Sequence, residues 1–313
     1  MSRLFAFGLG FSALALAQRL AERGWATAGT ARDRGKIEQL KREGYAVTYF
    51  GGAPGNDALP KLLADTTHLL HSIPPGDDGD PVLASYRKEI AALPSLKWIG
   101  YLSTVGVYGD QEGGWVDEST RPKPNSARSN ARVEAERDWL EFGEETGVPV
   151  QVFRLAGIYG PGRSVFDKLE AGTARRIKKD GQVFSRIHVE DIASVLEASI
   201  ARPRAGAIYN VADDEPAAPG DVVAYAAKLM GLPPPPEVDF AEADLSPMAR
   251  SFYQGSRRIR NERIKSELGV ALRYPTYREG LSALLARDAS EGQPPSPRGG
   301  ANPVPAKAGD RRP

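Results

Sequence analysis

The run Leu4-Phe5-Ala6-Phe7-Gly8-Leu9-Gly10-Phe11-Ser12-Ala13 decides how the rest of this 313-residue chain is read. Leu4 to Phe7 read as a buried strand. Two spaced glycines follow, and then Ala13, Leu16, Ala17 and Leu20 recur at i, i+3, i+4 and i+7, the period of a helix with one apolar face. Gly24 is placed to end that helix. Strand, G-x-G-x-x-A turn and helix together form a phosphate cradle. Gly8 permits the tight turn, Gly10 lets backbone approach a pyrophosphate, and the small Ala13 lets helix and strand pack closely. The helix N-terminus adds free N–H groups and the positive end of its dipole. Gly8, Gly10, Phe11 and Ser12 are therefore expected to bind a dinucleotide.

About 20 residues after such a turn, an acidic residue marks a binder of NAD, and an arginine accommodates the 2′-phosphate of NADP. The chain reads Gly29-Thr30-Ala31-Arg32-Asp33-Arg34 there. Arg32 presents a planar fork suited to phosphate, with Thr30 as a hydroxyl donor beside it, so NADP is the expected cofactor. Asp33 keeps NAD open as the lesser alternative, and a solvated surface position is the bland reading of Arg32.

Working outward, apolar strands alternate with helices: Trp25 to Thr30, Tyr45 to Phe50, Thr67 to Ile73, Leu96 to Ser103 and Pro149 to Leu155 as strands, Lys36 to Glu43, Pro81 to Leu93 and, after a polar loop from Gly109 to Asn125, Ala127 to Thr146 as helices. Strands too apolar to face water imply an α/β fold, a Rossmann doubly wound parallel sheet. Ligands sit at the carboxyl ends of such strands. Ser72 and Ile73 should line the cofactor, and Ser103 to Tyr108 and Ala156 to Gly162 should border the site. The expected organisation is a dinucleotide-binding domain over 1–162 to which 186–212 returns, a smaller C-terminal substrate lobe from 163–185 and 213–287, and a disordered tail over 288–313, rich in Pro, Gly, Ser and charge. Val165 to Lys179 read as helix-rich, with Arg175 to Lys179 as a solvated helix face.

Bulk composition narrows the partners. Net charge is +1, which gives no general pull toward nucleic acid or membrane. There is no cysteine and there are only three histidines, so a metal site is not expected. His68 and His71 read as satisfied polar groups at a strand edge. Arg3, the apolar run after it and Ala15-Leu16-Ala17 imitate a secretion signal, but the strand, turn and helix account for the same residues, and a cytoplasmic location is expected.

Three later segments carry a resemblance: Ser103-Thr104-Val105-Gly106-Val107-Tyr108-Gly109, then Phe153 to Gly162, then Arg186-Ile187-His188-Val189-Glu190-Asp191. In this order they resemble the extended short-chain dehydrogenase/reductases, the NAD-dependent epimerase/dehydratases, over roughly residues 3 to 286. The resemblance implies a nicotinamide cofactor and hydride chemistry. It also implies a Ser or Thr at the end of the strand before V-Y-G, here Thr104 with Ser103 beside it, and a Tyr-x-x-x-Lys pair on the next helix. His188 and Asp191 then anchor the loop joining the lobes, Arg154 plays a similar part, and Arg257 to Asn261 face substrate or a second subunit. A homodimer through the helices Pro81–Leu93 and Ala127–Thr146 is a further implication.

The catalytic pair departs from that pattern. The Tyr position holds Arg128 and the Lys position Arg132, with Glu136 after them. An arginine stays protonated at neutral pH and cannot relay a proton. Arg132 remains a candidate to hold ribose, and Arg128 to bind a carboxylate or phosphate bidentately. The competing reading makes them one helix face with an Arg132–Glu136 surface ion pair. Thr104, Ser103, Arg128, Arg132 and Tyr108 are thus the candidate catalytic residues, while Ser103, Arg132 and Tyr159 join the cofactor set. The expectation is an NADP-dependent oxidoreductase or epimerase-like enzyme acting on a small polar or sugar-like substrate, against a non-catalytic NADP-binding sensor as the alternative. An open cleft above the nicotinamide favours the enzyme; a filled one favours the sensor.

Overall fold

Alternate residues of the first strand, Arg3–Phe7, enter different cores: Leu4 and Ala6 on one face, Phe5 and Phe7 on the other, all fully buried. A strand dry on both faces belongs inside a parallel sheet covered by helices on both sides. The computed structural model, which describes residues 2–290, places it there. Seven strands run in the order Ala207–Val211, Val150–Leu155, Trp98–Thr104, His68–His71, Arg3–Phe7, Ala26–Ala31, Ala46–Tyr49. Every neighbouring pair is parallel. The chain winds outward from the first strand on one side and then crosses it to build the other. The reversal point lies between Arg3–Phe7 and His68–His71, where a ligand crevice opens in such sheets.

Helices cover both faces. Phe11–Ala21 buries Ala13, Leu16, Ala17 and Leu20, the face given by their spacing, and packs against Val189–Ala201. On the opposite face, Pro81–Ala91 contributes Val82, Tyr86 and Ile90, and Ala127–Thr146 contributes Ala135, Trp139 and Phe142. Each start and stop has a local cause. Ser126 and Ser129 form a reciprocal cap at the head of Ala127–Thr146, and Gly147, at φ +72°, takes the left-handed conformation that ends it. Pro81 occupies the first turn of its helix, and the Asp80 carboxylate accepts from the N–H groups of Val82 and Leu83, both at 3.0 Å.

The smaller lobe has its own core of Phe166, Leu169, Val222, Ala226, Tyr277 and Leu281. Three expectations need correction. Arg175 to Lys179 is not a helix face: the helix is only Phe166–Glu170, and Arg176–Lys178 is a strand parallel to Glu237–Asp239. Arg176 and Lys178 both approach Glu237, at 3.4 and 3.9 Å, so a distant cross-strand partner overrides the local pattern. The expected tail begins too early, because the helix Tyr277–Ser290 includes 288–290; the remainder of 288–313 lies outside the described residues. His71 is not at a sheet edge. It is fully buried in an interior strand, and its Nε2 donates to Asp80 Oδ2 at 2.6 Å. No helix among the described residues is long and apolar enough to cross a membrane.

Burial alone would raise the Asp80 pKa. The neighbouring His71, by charge and hydrogen bond, and the Leu83 N–H outweigh it, and the net shift is downward. A lowered carboxylate pKa gives stability that is present above the unfolded-state value of about 4 and lost as the pH falls through the folded-state value. Asp80→Ala removes this term, the helix cap and the partner of a buried histidine. Urea unfolding at neutral pH is expected to show a loss of about 3 kcal/mol, with a shallower decline in stability below pH of about 4 than in the wild type.

Candidate active site

Two cavities at the carboxyl ends of the strands hold most of the expected site residues. The larger, about 810 Å³, surrounds the glycine turn. Gly8 has φ +84°, and a β-carbon there would lie 2.6 Å from Ser72 Oγ, so no side chain fits. Gly10 differs: a β-carbon would meet nothing nearer than the Gly8 carbonyl at 4.0 Å, which leaves bare backbone open to a ligand. Two residues hold the turn in place. Thr30 Oγ1 accepts from the Gly8 N–H at 3.0 Å, and Ser72 Oγ donates to the Gly8 carbonyl at 2.6 Å. Both line the cavity, as do Ile73 and Arg32. Phe11 and Ser12 do not: the Phe11 ring lies under the Arg163 guanidinium at 5.8 Å, and Ser12 is buried in the helix.

Arg32 and Asp33 take opposite parts at the end of the second strand. The Asp33 carboxylate accepts from the Lys36 N–H at 2.7 Å and caps the helix Arg34–Arg42. Arg32 is exposed on the cavity wall and makes no ion pair among the described residues. Lys36 lines the same wall, a residue that sequence reasoning missed although it sits in the same charged run.

The smaller cavity, about 420 Å³, is lined by Thr104, Arg128, Arg132 and the Tyr159 ring, together with Ser129, Arg186 and Arg257. Thr104 ends the strand Trp98–Thr104, and its Oγ1 accepts from Gly106 N–H at 3.1 Å. Arg128 lies exposed in the first turn of Ala127–Thr146, with no side-chain hydrogen bond among the described residues. One turn on, Arg132 is only 8% exposed, and its Nη1 donates to the Leu102 carbonyl at 2.6 Å and the Tyr101 hydroxyl at 3.2 Å.

The expected Arg132–Glu136 surface pair does not form, since both residues are buried and Glu136 turns elsewhere. Arg154 grips it with Nε at 3.2 Å from each carboxylate oxygen and Nη2 at 2.7 Å from Oε2. Ser103 Oγ donates to the same carboxylate. Tyr108, fully buried, accepts from Arg154 Nη1 at 3.0 Å and donates to Asn210 Oδ1 at 2.8 Å. Ser103 and Tyr108 therefore point into this network and do not line the cavity, so neither hydroxyl reaches a ligand there. Tyr159 shows its ring to the cavity, but its hydroxyl is buried against Gly280 without a partner, and burial drives its pKa strongly upward.

His188 and Asp191 serve the joint between the lobes. His188 Nδ1 accepts from Glu190 N–H at 3.2 Å, and the Asp191 carboxylate accepts from the N–H groups of Arg273 at 2.7 Å and Tyr274 at 3.1 Å. Residues 110 to 116 are strapped down: Trp115–Val116 pairs with Arg258–Ile259, and Gln111 and Gly113 N–H groups both reach the Ser256 carbonyl at 3.0 Å.

The NAD dependent epimerase/dehydratase family model matches residues 90–212, which hold Thr104, the arginine helix and the His188 segment. A solved structure from Silicibacter pomeroyi, described as a functionally unknown conserved protein, is 52% identical, covers 92% of this chain and 99% of its own, and superposes with a TM-score of 0.82. The chain belongs to the NAD-dependent epimerase/dehydratase family. Protein YeeZ of Escherichia coli K12 is 28% identical over 288 residues, 88% of this chain and 97% of that protein. The dTDP-glucose 4,6-dehydratase of Bacillus anthracis, solved in complex with NAD, shares the fold at 20% identity, with a TM-score of 0.75 over 93% of this chain and 97% of that one.

Within this epimerase/dehydratase fold, the buried pair and the exposed arginine should respond very differently to removal. Glu136→Ala leaves Arg154 charged and unpaired in a dry seam, and urea unfolding is expected to show a loss of about 3–5 kcal/mol. Arg128→Ala removes no internal contact, and the same measurement should stay within about 0.5 kcal/mol of the wild type.

Proposed function

We propose that this family member is an NADP-dependent oxidoreductase or epimerase-like enzyme acting on a small polar substrate, with Arg128 and Arg132 standing where the family's Tyr and Lys are expected. The observation that carries the cofactor reading is the division of labour at the second strand. All three line the cavity, but Asp33, the acid that would suit a ribose 2′-hydroxyl, spends one carboxylate oxygen on a helix cap, whereas Arg32 and Lys36 enter no ion pair among the described residues. The open Gly10 backbone and the N-terminus of Phe11–Ala21 suit the pyrophosphate. When bound, the nicotinamide supplies hydride exchange.

The chain's own residues then have separable tasks. Ser72 and Thr30 keep the glycine turn in shape. The Thr104 hydroxyl, already accepting from Gly106, offers its proton to a substrate oxygen. Arg132, tethered to Leu102, places a fixed positive charge beside that oxygen. Since an arginine cannot exchange a proton at neutral pH, the proton comes from water admitted through the cavity. A cavity of about 420 Å³ next to the cofactor crevice favours an enzyme over a sensor whose cleft is filled. One observation supports the sensor: Tyr159 lines this cavity with its ring, but its hydroxyl is buried with its pKa pushed upward.

Calorimetric titration of NADPH and NADH tests the proposal. NADPH should bind at least tenfold more tightly than NADH, and Arg32→Ala should weaken NADPH tenfold or more while leaving NADH unchanged. Equal affinity for the two nucleotides, or an Arg32→Ala variant with unaltered NADPH binding, would contradict it.

A further inference from the structure

The ionisable side chains around the smaller cavity are unbalanced. Arg128, Arg132, Arg186 and Arg257 line it, and no Asp or Glu does. Among the described residues none of the four arginines is ion-paired with a carboxylate; the ion pairs of this region use other partners. Two acids act on these arginines through space. Asp110, which faces Arg257, accepts from Ser256 N–H at 2.8 Å. Asp213, which faces Arg186, is fully buried, and burial pushes its pKa up to about 8. Arg186 Nη1 spends its hydrogen bonds on the Phe184 and Ala217 carbonyls, at 2.9 and 3.3 Å. Arg257 Nη1 reaches the Gly109 carbonyl, while its Nε is buried with no partner.

Two further features add positive potential. The 20-residue helix Ala127–Thr146 ends on this cavity, with Ser126 and Ser129 on the wall and no acidic residue in its first turn. Its dipole therefore favours an anion at that end. Arg128 projects from that turn with its fork unused by the chain. Partly desolvated cations with no carboxylate in direct contact are costly, and an anion that enters regains that cost as binding.

We propose that this cavity binds an oxyanion carried by the substrate, a carboxylate or a phosphate, held by Arg128 with Arg186 and Arg257 around it and next to Thr104. The inference builds on the reading of this cavity as the substrate site. Arg128 accounts for the altered family position: in place of a proton-relaying phenol, the chain has a group that grips a charged substrate bidentately. A neutral sugar of the same size gains none of this.

The test is a thermal-shift titration of NADPH-saturated protein with inorganic pyrophosphate, with citrate, and with glucose as the neutral control, on wild type, Arg128→Gln and Arg257→Gln. The wild type should show saturable stabilisation by at least one anion and none by glucose, weakened tenfold or more in Arg128→Gln. A response to pyrophosphate alone identifies phosphate, to citrate alone carboxylate. No saturable anion response, or one that both variants leave unchanged, overturns the inference. NADPH binding measured in the same samples keeps the two readings apart. NADPH bound without any anion effect defeats the oxyanion site alone. Failure to bind NADPH defeats the cofactor reading, and the anion titration of the protein by itself still decides through Arg128→Gln.

Discussion

Glu136 and Arg154 meet in the dry seam between the helix Ala127–Thr146 and the strand Val150–Leu155, and the geometry of the site follows from that contact. Two opposite charges removed from water are tolerable only when their remaining hydrogen-bonding capacity is met. Ser103 from one neighbouring strand and Tyr108 from the turn after it meet it, and Asn210 from the strand on the other side completes the chain. The network thus pins one helix to the carboxyl ends of three adjacent strands. With Glu136 fixed, Arg132 lies one helical turn nearer the cavity and Arg128 two turns nearer. Two side chains expected to do chemistry, Ser103 and Tyr108, are instead the supports that aim the arginines.

Much of this was legible in the sequence, where a local pattern and the tertiary environment agree. The glycine turn, the buried face of the first helix and the helix Ala127–Thr146 each combine a spacing with a cap or a breaker. Legibility failed where the deciding partner is far away in sequence. The strand Arg176–Lys178 exists because Glu237–Asp239 lies beside it. The helix Ala58–Leu63 is six residues long and contains Pro60, too short to show a period. Arg132 and Glu136 have ideal spacing for a surface pair, and only the burial of Arg154 reveals why Glu136 turns inward. Arg186 and Lys36 could not be singled out from other basic residues without knowing which wall they face.

The charge distribution ties both cavities to one theme. A chain with a net charge of +1 has no long-range preference for anions, yet each cavity takes cations from separate segments, without acids around Thr104 and together with Asp33, Asp77 and Asp78 around the glycine turn. Around the glycine turn they come from the end of the second strand and the helix after it; around Thr104 they come from a helix start, a strand near the lobe joint and the segment strapped to residues 110–116. Local potential, set by folding, selects the ligand where bulk composition is silent.

The most direct measurement of this account is a crystal structure of the protein grown with NADP. The account predicts the 2′-phosphate between Arg32 and Lys36, the pyrophosphate over Gly10, and the nicotinamide next to Thr104 with the arginine-lined cavity open beside it. A nucleotide whose ribose hydroxyls are held by Asp33, or a cavity closed over by Arg128 and Arg132, would contradict it.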